Sequence, residues 1–253
     1  MNFSIVIPSK NPVNLTACVN SILDREPGLP HERIIVVDDG ARQDGLEAAQ
    51  GGRLPWLEDL TWIAGIKPFI FSRNMNLGIH RAFGEQGADA VILLNDDTRL
   101  LSGSGFTSLT RLTLAKAPGI CSAVFTDAVG NRAQLLRCGR VKGSVPVIRS
   151  EPRTLAFICI CIPRETWATV GPLDEDFVDY GWEDNDYCKR VRDAGLGLFI
   201  TEGCLVEHGR LESTFRPGNV AVNIVNRSAK HYFDKYGDLQ GIRVPPEWLT
   251  PSN

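Results

Sequence analysis

Residues 90–100 read AVILLNDDTRL, an apolar run that leads straight into Asn95, Asp96, Asp97 and Thr98. The run is continuous rather than alternating, so both of its faces meet protein, as in a strand covered by helices on both sides. A carboxylate leaving such a core is costly unless something positive or aqueous meets it. The two acids therefore either sit at a solvated turn or hold a cation. Upstream, FSIVIP and RIIVVDD are runs of the same kind, and the helical stretches NLTACVNSILD and SRNMNLGIHRAFGEQG separate the three. Strands alternating with helices predict right-handed βαβ units: an α/β fold, a three-layer α/β/α sandwich around a mostly parallel central sheet.

Further along, GICSAVF, LAFICICIP and GLGLFIT read as strands, PRETWATVG and WEDNDYCKRVRDAG as helices, and NVAVNIVNRSAKHYFDKYG as a final helix. No linker composition, repeat or low-complexity segment divides the chain, so a single domain over residues 1–253 is expected. Hydrophobic content of 43% and charged content of 23% are those of a globular protein. The formal net charge of −3 gives no general attraction to nucleic acid or anionic lipid, so no nucleic-acid partner is expected. The 7 cysteines are odd in number and form no CxxC pair, which favours a reducing, cytoplasmic setting. Cys159 and Cys161, alternating within ICICI, are expected on opposite faces of their strand. No apolar stretch reaches the roughly 18 residues of a membrane span, although peripheral contact through the last helix, at the inner face of a membrane, stays open.

Polar clusters follow the strands. Pro8, Ser9, Lys10 and Asn11 come after the first, Asp38, Asp39 and Gly40 after the second, and Asn95 to Asp97 after AVILL. In open α/β sheets ligands bind beyond the carboxyl ends of the strands, so these clusters should share one rim. Acids 38, 39, 96 and 97 would repel one another there unless a cation or a hydrogen-bonding ligand occupies the space.

Each motif has two readings. VVDDG fits an Asx turn with glycine at positive φ, or an Asp39 that accepts from a nucleobase or ribose. In SRNMNLGI, Ser72 is a candidate N-cap, and Arg73 at a helix start gains nothing from the macrodipole, so it is either a surface residue or faces an anionic or planar partner. NDDT is a turn or a hard-cation site for Mg²⁺ or Mn²⁺. Glu183, Asp184 and Asp186 are first-turn acids favoured by the dipole, or contain a general base whose basicity comes from burial. His208 in VEHG is structural, or completes a metal site at a strand end. No cysteine adjoins a histidine, and neither GxGxxG nor GxxxxGK[ST] occurs, which argues against thiol catalysis, nicotinamide dehydrogenases and P-loop ATPases.

Taken together, IVIPSKN, VVDDGARQDG, SRNMNLGI, ILLNDDT, VGPLDEDFVDYGWEDNDYCKRV and VEHG, in that order over about residues 3–209, resemble the family 2 inverting nucleotide-sugar glycosyltransferases of GT-A fold. The resemblance implies a nucleotide-binding half (1–100), an acceptor and catalytic half (101–218) and a C-terminal helix and tail (219–253). By it, Pro8, Ser9, Asp38 and Asp39 hold nucleobase and ribose, Arg73 and Asn74 line the same pocket, and Asn95 and Asp96 border ribose or metal. Asp97 becomes the chief ligand of Mn²⁺ or Mg²⁺ with His208 as an additional one, and Asp184 the catalytic base with Glu183 as alternate. Asn95 stands where the family's DxD has its first acid, and Lys10 where a base-stacking aromatic is frequent. The implied reaction moves a sugar from a UDP- or dTDP-sugar to a hydroxyl of a glycan or lipid-linked saccharide, as in cell-surface polysaccharide biosynthesis. Alternatives are a sugar-phosphate nucleotidyltransferase and a nucleotide-sugar or glycan-binding module without turnover. GRLESTFRPG (209–218) is either a surface loop or a lid, with Arg210 or Arg216 closing over the diphosphate.

Overall fold

The computed structural model describes residues 1–42, 54–116, 118–126, 132–136, 148–151, 153–208 and 224–249. Its strands are β1 (Phe3–Ser9), β2 (Ile34–Asp38), β3 (Thr61–Ala64), β4 (Ala90–Leu94), β5 (Thr98–Leu100), β6 (Gly119–Phe125), β7 (Ile148–Ser150), β8 (Cys159–Pro163) and β9 (Gly197–His208). Among the described residues they form one sheet in the order β3-β2-β1-β4-β8-β6-β9-β5, with β7 also paired to β9. β3, β2, β1 and β4 are mutually parallel, as expected. Beyond β4 the sheet is mixed: β8 runs antiparallel to β4 and β6, and β5 and β7 run antiparallel to β9. The expectation of a mostly parallel sheet is corrected to that extent. β5 follows β4 after only the turn at 95–97, yet it pairs with β9 and not with β4.

The helices are α1 (Pro12–Arg25), α2 (Phe71–His80, continued by a π turn Arg81–Glu85), α3 (Gly105–Lys116), α4 (Arg164–Val170), α5 (Glu183–Asp193) and α6 (Arg227–Tyr236). Asn11 caps α1, its side chain accepting from Val13 N–H (2.9 Å) and Asn14 N–H (3.1 Å), and Pro12 takes the first helical position, where no N–H is needed. The period-2 rule then divides the core. Ile5, Ile7, Ile34, Val36, Ile92 and Leu94 pack on one face with Leu15, Val19 and Ile22 of α1 and Phe106 and Leu109 of α3. Val6, Ile35, Val37, Val91 and Leu93 pack on the other with Met75 and Ile79 of α2 and Tyr187 and Val191 of α5. Both faces are dry, which is why the strand sequences do not alternate in polarity.

Cys159 and Cys161 lie on the same face, in the α1 and α3 layer, contrary to the expected opposite faces. Residues two apart on a strand share a face, so Ile160 and Ile162 lie together on the other. All cysteines among the described residues are buried and unpaired. No described helix is long and apolar enough to cross a membrane.

Close packing of α2 on β1 depends on Gly78, where an added Cβ would lie 2.3 Å from Val6 Cγ1. Gly78→Ala is expected to destabilise the fold by about 1–3 kcal/mol through overpacking, despite alanine's better helix propensity. A lower urea midpoint at unchanged slope would show it.

Candidate active site

The strand-end clusters meet at one rim and are wired together through hydrogen bonds. Asp39 N–H donates to Ser9 O (2.8 Å), joining the end of β2 to β1. Ser9 Oγ donates to Asp96 Oδ2 (2.6 Å) in a buried contact that joins β1 to the turn after β4. Pro8 pairs only with Val37, since the β1–β4 ladder ends at Val6, and its missing N–H therefore breaks no β4 contact.

At β2 the two aspartates divide the two readings of VVDDG. Asp38 Oδ1 accepts from Gly40 N–H (2.9 Å) and Arg42 N–H (3.2 Å), which is the Asx turn. Asp39 is buried, and Lys67 Nζ donates to both its Oδ1 and its carbonyl oxygen. Lys67 follows β3, an edge strand of four residues that the sequence reading missed together with its lysine.

α2 begins two residues earlier than a Ser72 cap would allow. The N-cap position is Ile70, extended at φ −129° and ψ 123°, and Ser72 lies inside the helix with its Oγ buried and without a hydrogen-bond partner among the described residues. Arg73 faces Glu175, Nε to Oε2 3.2 Å, so the anionic partner anticipated for it lies within the chain. Asn74 Oδ1 accepts from Ile66 N–H (2.8 Å), while Gly65 N–H donates to Asp38 O (2.8 Å). Asn74 thereby ties the segment after β3 to α2, while Gly65 ties it to the end of β2.

The NDDT turn is closed by Thr98, whose Oγ1 donates to Asn95 O (2.6 Å). Thr98 opens β5 and pairs directly with His208, the last residue of β9. This short pairing brings Asp97 Oδ1 to 3.4 Å from His208 Nε2, with the two residues only 6% and 8% exposed. Asp97 Oδ1 and His208 Nδ1 have no hydrogen-bond partner among the described residues. Ligand atoms on neighbouring vertices of an octahedral Mg²⁺- or Mn²⁺-sized ion stand about 3 Å apart. The Asp97 oxygen and His208 Nε2 stand at a spacing that fits such an ion, and the oxygen is buried without a hydrogen-bond partner among the described residues. Asn95 Oδ1 is also buried without a partner, so the residue in place of the DxD acid still presents an oxygen.

The acids of α5 reach the same rim by way of the segment before β8. Asn95 N–H donates to Ile158 O (3.0 Å), and the neighbouring Phe157 N–H hydrogen-bonds the Asp184 carboxylate. Asn185 N–H also donates to Asp184 Oδ1 (2.8 Å). Glu183 and Asp184 are half-buried as residues, but Glu183 Oε2 has no exposed surface and no described hydrogen-bond partner. Burial, and then the Asp184 charge, push the Glu183 carboxyl well up, and burial pushes Asp184 up against the opposing backbone hydrogen bonds. The pair thus keeps a proton near neutral pH that ordinary carboxylates would have lost. A carboxyl raised by folding favours the native state at low pH and costs stability as pH rises past the unfolded value. Glu183→Gln is therefore expected to gain stability over the wild type between about pH 4 and 8, on the order of 2 kcal/mol. Thermal denaturation of both proteins across that range checks the sign.

A second cluster, Asp174, Asp176 and His231, places ligand atoms within 4.8 Å of one another. It is already neutralised: Lys235 Nζ lies 2.7 Å and His231 Nε2 3.1 Å from Asp174 Oδ2. Burial would push Asp174 up, but hydrogen bonds led by that from Lys235 prevail and hold it down to about 2. The lid anticipated at 209–218, with Arg210 and Arg216, lies outside the described residues.

The sheet order and the rim at its centre are those of the GT-A fold, and solved structures share that architecture. GalNAc-T7, solved with UDP, GalNAc and Mn²⁺, superposes with a TM-score of 0.67 at 15% identity over 92% of this chain and 47% of its own. The mannosyltransferase PcManGT of Pyrobaculum calidifontis, solved with GDP-Man and Mn²⁺, gives 0.57 at 13% identity over 85% of this chain and 58% of its own. At these identities the likeness establishes the fold alone. Residues 4–104 match the family model of glycosyl transferase family 2. A curated relative, the uncharacterized protein y4gI of Sinorhizobium fredii, is 26% identical over 230 residues, which are 81% of this chain but 24% of the relative. The chain therefore spans about a quarter of that relative's length.

Proposed function

We propose that the chain is an inverting, metal-assisted glycosyltransferase that moves a sugar from a nucleoside diphosphate sugar, UDP or dTDP, to a hydroxyl of a glycan or lipid-linked saccharide. The observation that carries this reading is the buried Asp97–His208 pair at 3.4 Å, with Asp97 Oδ1 and His208 Nδ1 both unsatisfied. Asp97 and His208 would hold Mn²⁺ or Mg²⁺ there. A divalent ion at that position supplies positive charge to a departing diphosphate. The rest of the chemistry falls to the chain's own groups. Ser9, Asp39 and Asp96 present the surface on which nucleobase and ribose lie. Asp184, aimed by the Phe157 and Asn185 amides, takes the proton from the acceptor hydroxyl as it attacks the anomeric carbon from the face opposite the diphosphate. The raised carboxyl pair retains one proton between its members, which leaves one base.

The reading is tested by incubating the protein with a panel of nucleotide sugars, Mn²⁺ and saccharide acceptors, following nucleoside diphosphate release and the anomeric proton of the product by NMR. Release of UDP or dTDP with inversion at the anomeric carbon is expected. Binding of donors without release would leave a binding module. Pyrophosphate release from a nucleoside triphosphate and a sugar phosphate would establish a nucleotidyltransferase instead.

A further inference from the structure

The residue before the acid pair, Trp182, has a left-handed backbone, φ 81° and ψ −21°, directly after Gly181 at φ 87°. A bulky residue at positive φ is strained and persists only where its surroundings over-determine it. Here the surroundings are the C-terminal segment. The indole Nε1 donates to Ile224 O (2.8 Å), and the ring lies against Tyr232 of α6 with centroids 5.0 Å apart. Trp182 and Phe177 form a buried cluster with Ala229, Tyr232 and Leu239, apart from the two faces of the main core.

Polar contacts on both sides of the acids fix the same arrangement. Ahead of them, Asp179 accepts from Arg227 N–H (2.9 Å) and from its guanidinium (2.6 Å). Behind them, the fully buried Asp186 accepts from Lys235 Nζ (2.6 Å) and Tyr236 OH (2.7 Å) of α6, and from Arg190 Nε (2.8 Å). Asn185 Nδ2 reaches Gln240 Oε1 (2.9 Å), whose own amide donates to Tyr232 OH (2.7 Å). The turn that aims Glu183 and Asp184 is thus gripped from 179 to 186 by residues 224–240.

We infer that Trp182 is a positioning residue for the Glu183–Asp184 pair, and that α6 works as the clamp that holds its left-handed turn. The inference deepens the transferase reading and rests on it. The direction of the first helical turn follows from the Gly181–Trp182 backbone, since Trp182 O accepts the first helical bond, from Asp186 N–H (2.9 Å). Were Trp182 to relax to an ordinary negative φ, the α5 start would swing and the carboxylates with it. A displacement of about 1 Å in a catalytic group costs on the order of 100-fold in rate. The donor, held at the strand ends by other residues, would not sense the change.

The test compares Trp182→Gly, Trp182→Phe and Tyr232→Leu with the wild type. Glycine accepts the left-handed backbone without strain, so that variant keeps the turn allowed but unclamped. Phenylalanine keeps the ring on Tyr232 and loses only the bond to Ile224. Expected are falls in kcat of about 100-fold for Trp182→Gly and Tyr232→Leu and about tenfold for Trp182→Phe, with donor KM and donor affinity within about twofold of wild type. Lys230→Ala, elsewhere on α6, should change nothing. Wild-type kcat in Trp182→Gly, or kcat and donor affinity falling together in all the variants, would overturn the inference. Should the wild type transfer no sugar, the transferase reading fails, and the positioning claim is judged on the carboxyl ¹³C resonances of Glu183 and Asp184. They should move in Trp182→Gly and Tyr232→Leu; unmoved resonances would overturn it.

Discussion

Asp184→Asn should lower sugar transfer by about 10²–10⁴-fold while leaving nucleotide-sugar affinity unchanged within about twofold. The substitution is close to isosteric, and an amide oxygen can still accept from the Phe157 and Asn185 N–H groups that aim the carboxylate. What it removes is the ability to take a proton. Burial places the Asp184 carboxyl at about 6, closer to the working pH than an ordinary aspartate, and so makes it a more effective base. Because the base must be ionised, the wild-type rate should fall as pH drops through about 6 and level off above it. The residual rate of Asp184→Asn should lack that limb. If the variant keeps wild-type turnover, Asp184 is not the base, and Glu183, one residue away with a still higher carboxyl, takes its place as the residue to replace.

Asp97→Ala is the second large effect, with an expected loss of on the order of 10³-fold in turnover together with the response to added Mn²⁺. Its carboxylate is nearly enclosed, and removing it leaves His208 alone at the end of β9. His208→Ala should be milder, about 10–100-fold, as expected of an ancillary ligand. Fold integrity separates this from collapse: the closing bond of the turn, Thr98 Oγ1 to Asn95 O, and the β5–β9 pairing do not involve the Asp97 side chain. Circular dichroism and the unfolding midpoint should therefore stay near wild type. Full activity of the wild type in excess chelator would remove the metal from the account.

How much of this was readable in the chain varies from element to element. The runs FSIVIP, RIIVV and AVILL are long, apolar and bounded by polar clusters, so β1, β2 and β4 and their common rim follow from hydrophobic patterning alone. β3 and β5 do not: TWIA is a short edge strand, and TRL is three residues long, below any periodicity. Their absence from the sequence reading hid Lys67 beside Asp39 and the register that sets Thr98 opposite His208. α3 escaped for another reason. Its threonines and glycine are poor helix formers, and its start is capped by Glu26, whose Oε1 accepts from Phe106 N–H at 2.6 Å from 80 residues away. Long-range partners of that kind leave no local trace. The same holds for Arg73, whose position at a helix start left open a surface residue or an anionic or planar partner and could not name Glu175, 102 residues on. Trp182 likewise reads as an ordinary core aromatic in GWED, and only its φ and its Tyr232 contact give it a role.

The central claim is that the rim formed by Ser9, Asp39, Asp96, Asp97 and His208 binds a nucleoside diphosphate through a divalent ion. Isothermal titration of UDP and dTDP into the wild-type protein, with Mn²⁺ and with chelator, and into Asp97→Ala, tests it most directly. The account predicts binding at least about tenfold tighter with Mn²⁺, equivalent to about 1.4 kcal/mol, and loss of that difference in the variant. Binding of equal strength in all three conditions, or no binding of either nucleotide, would contradict it.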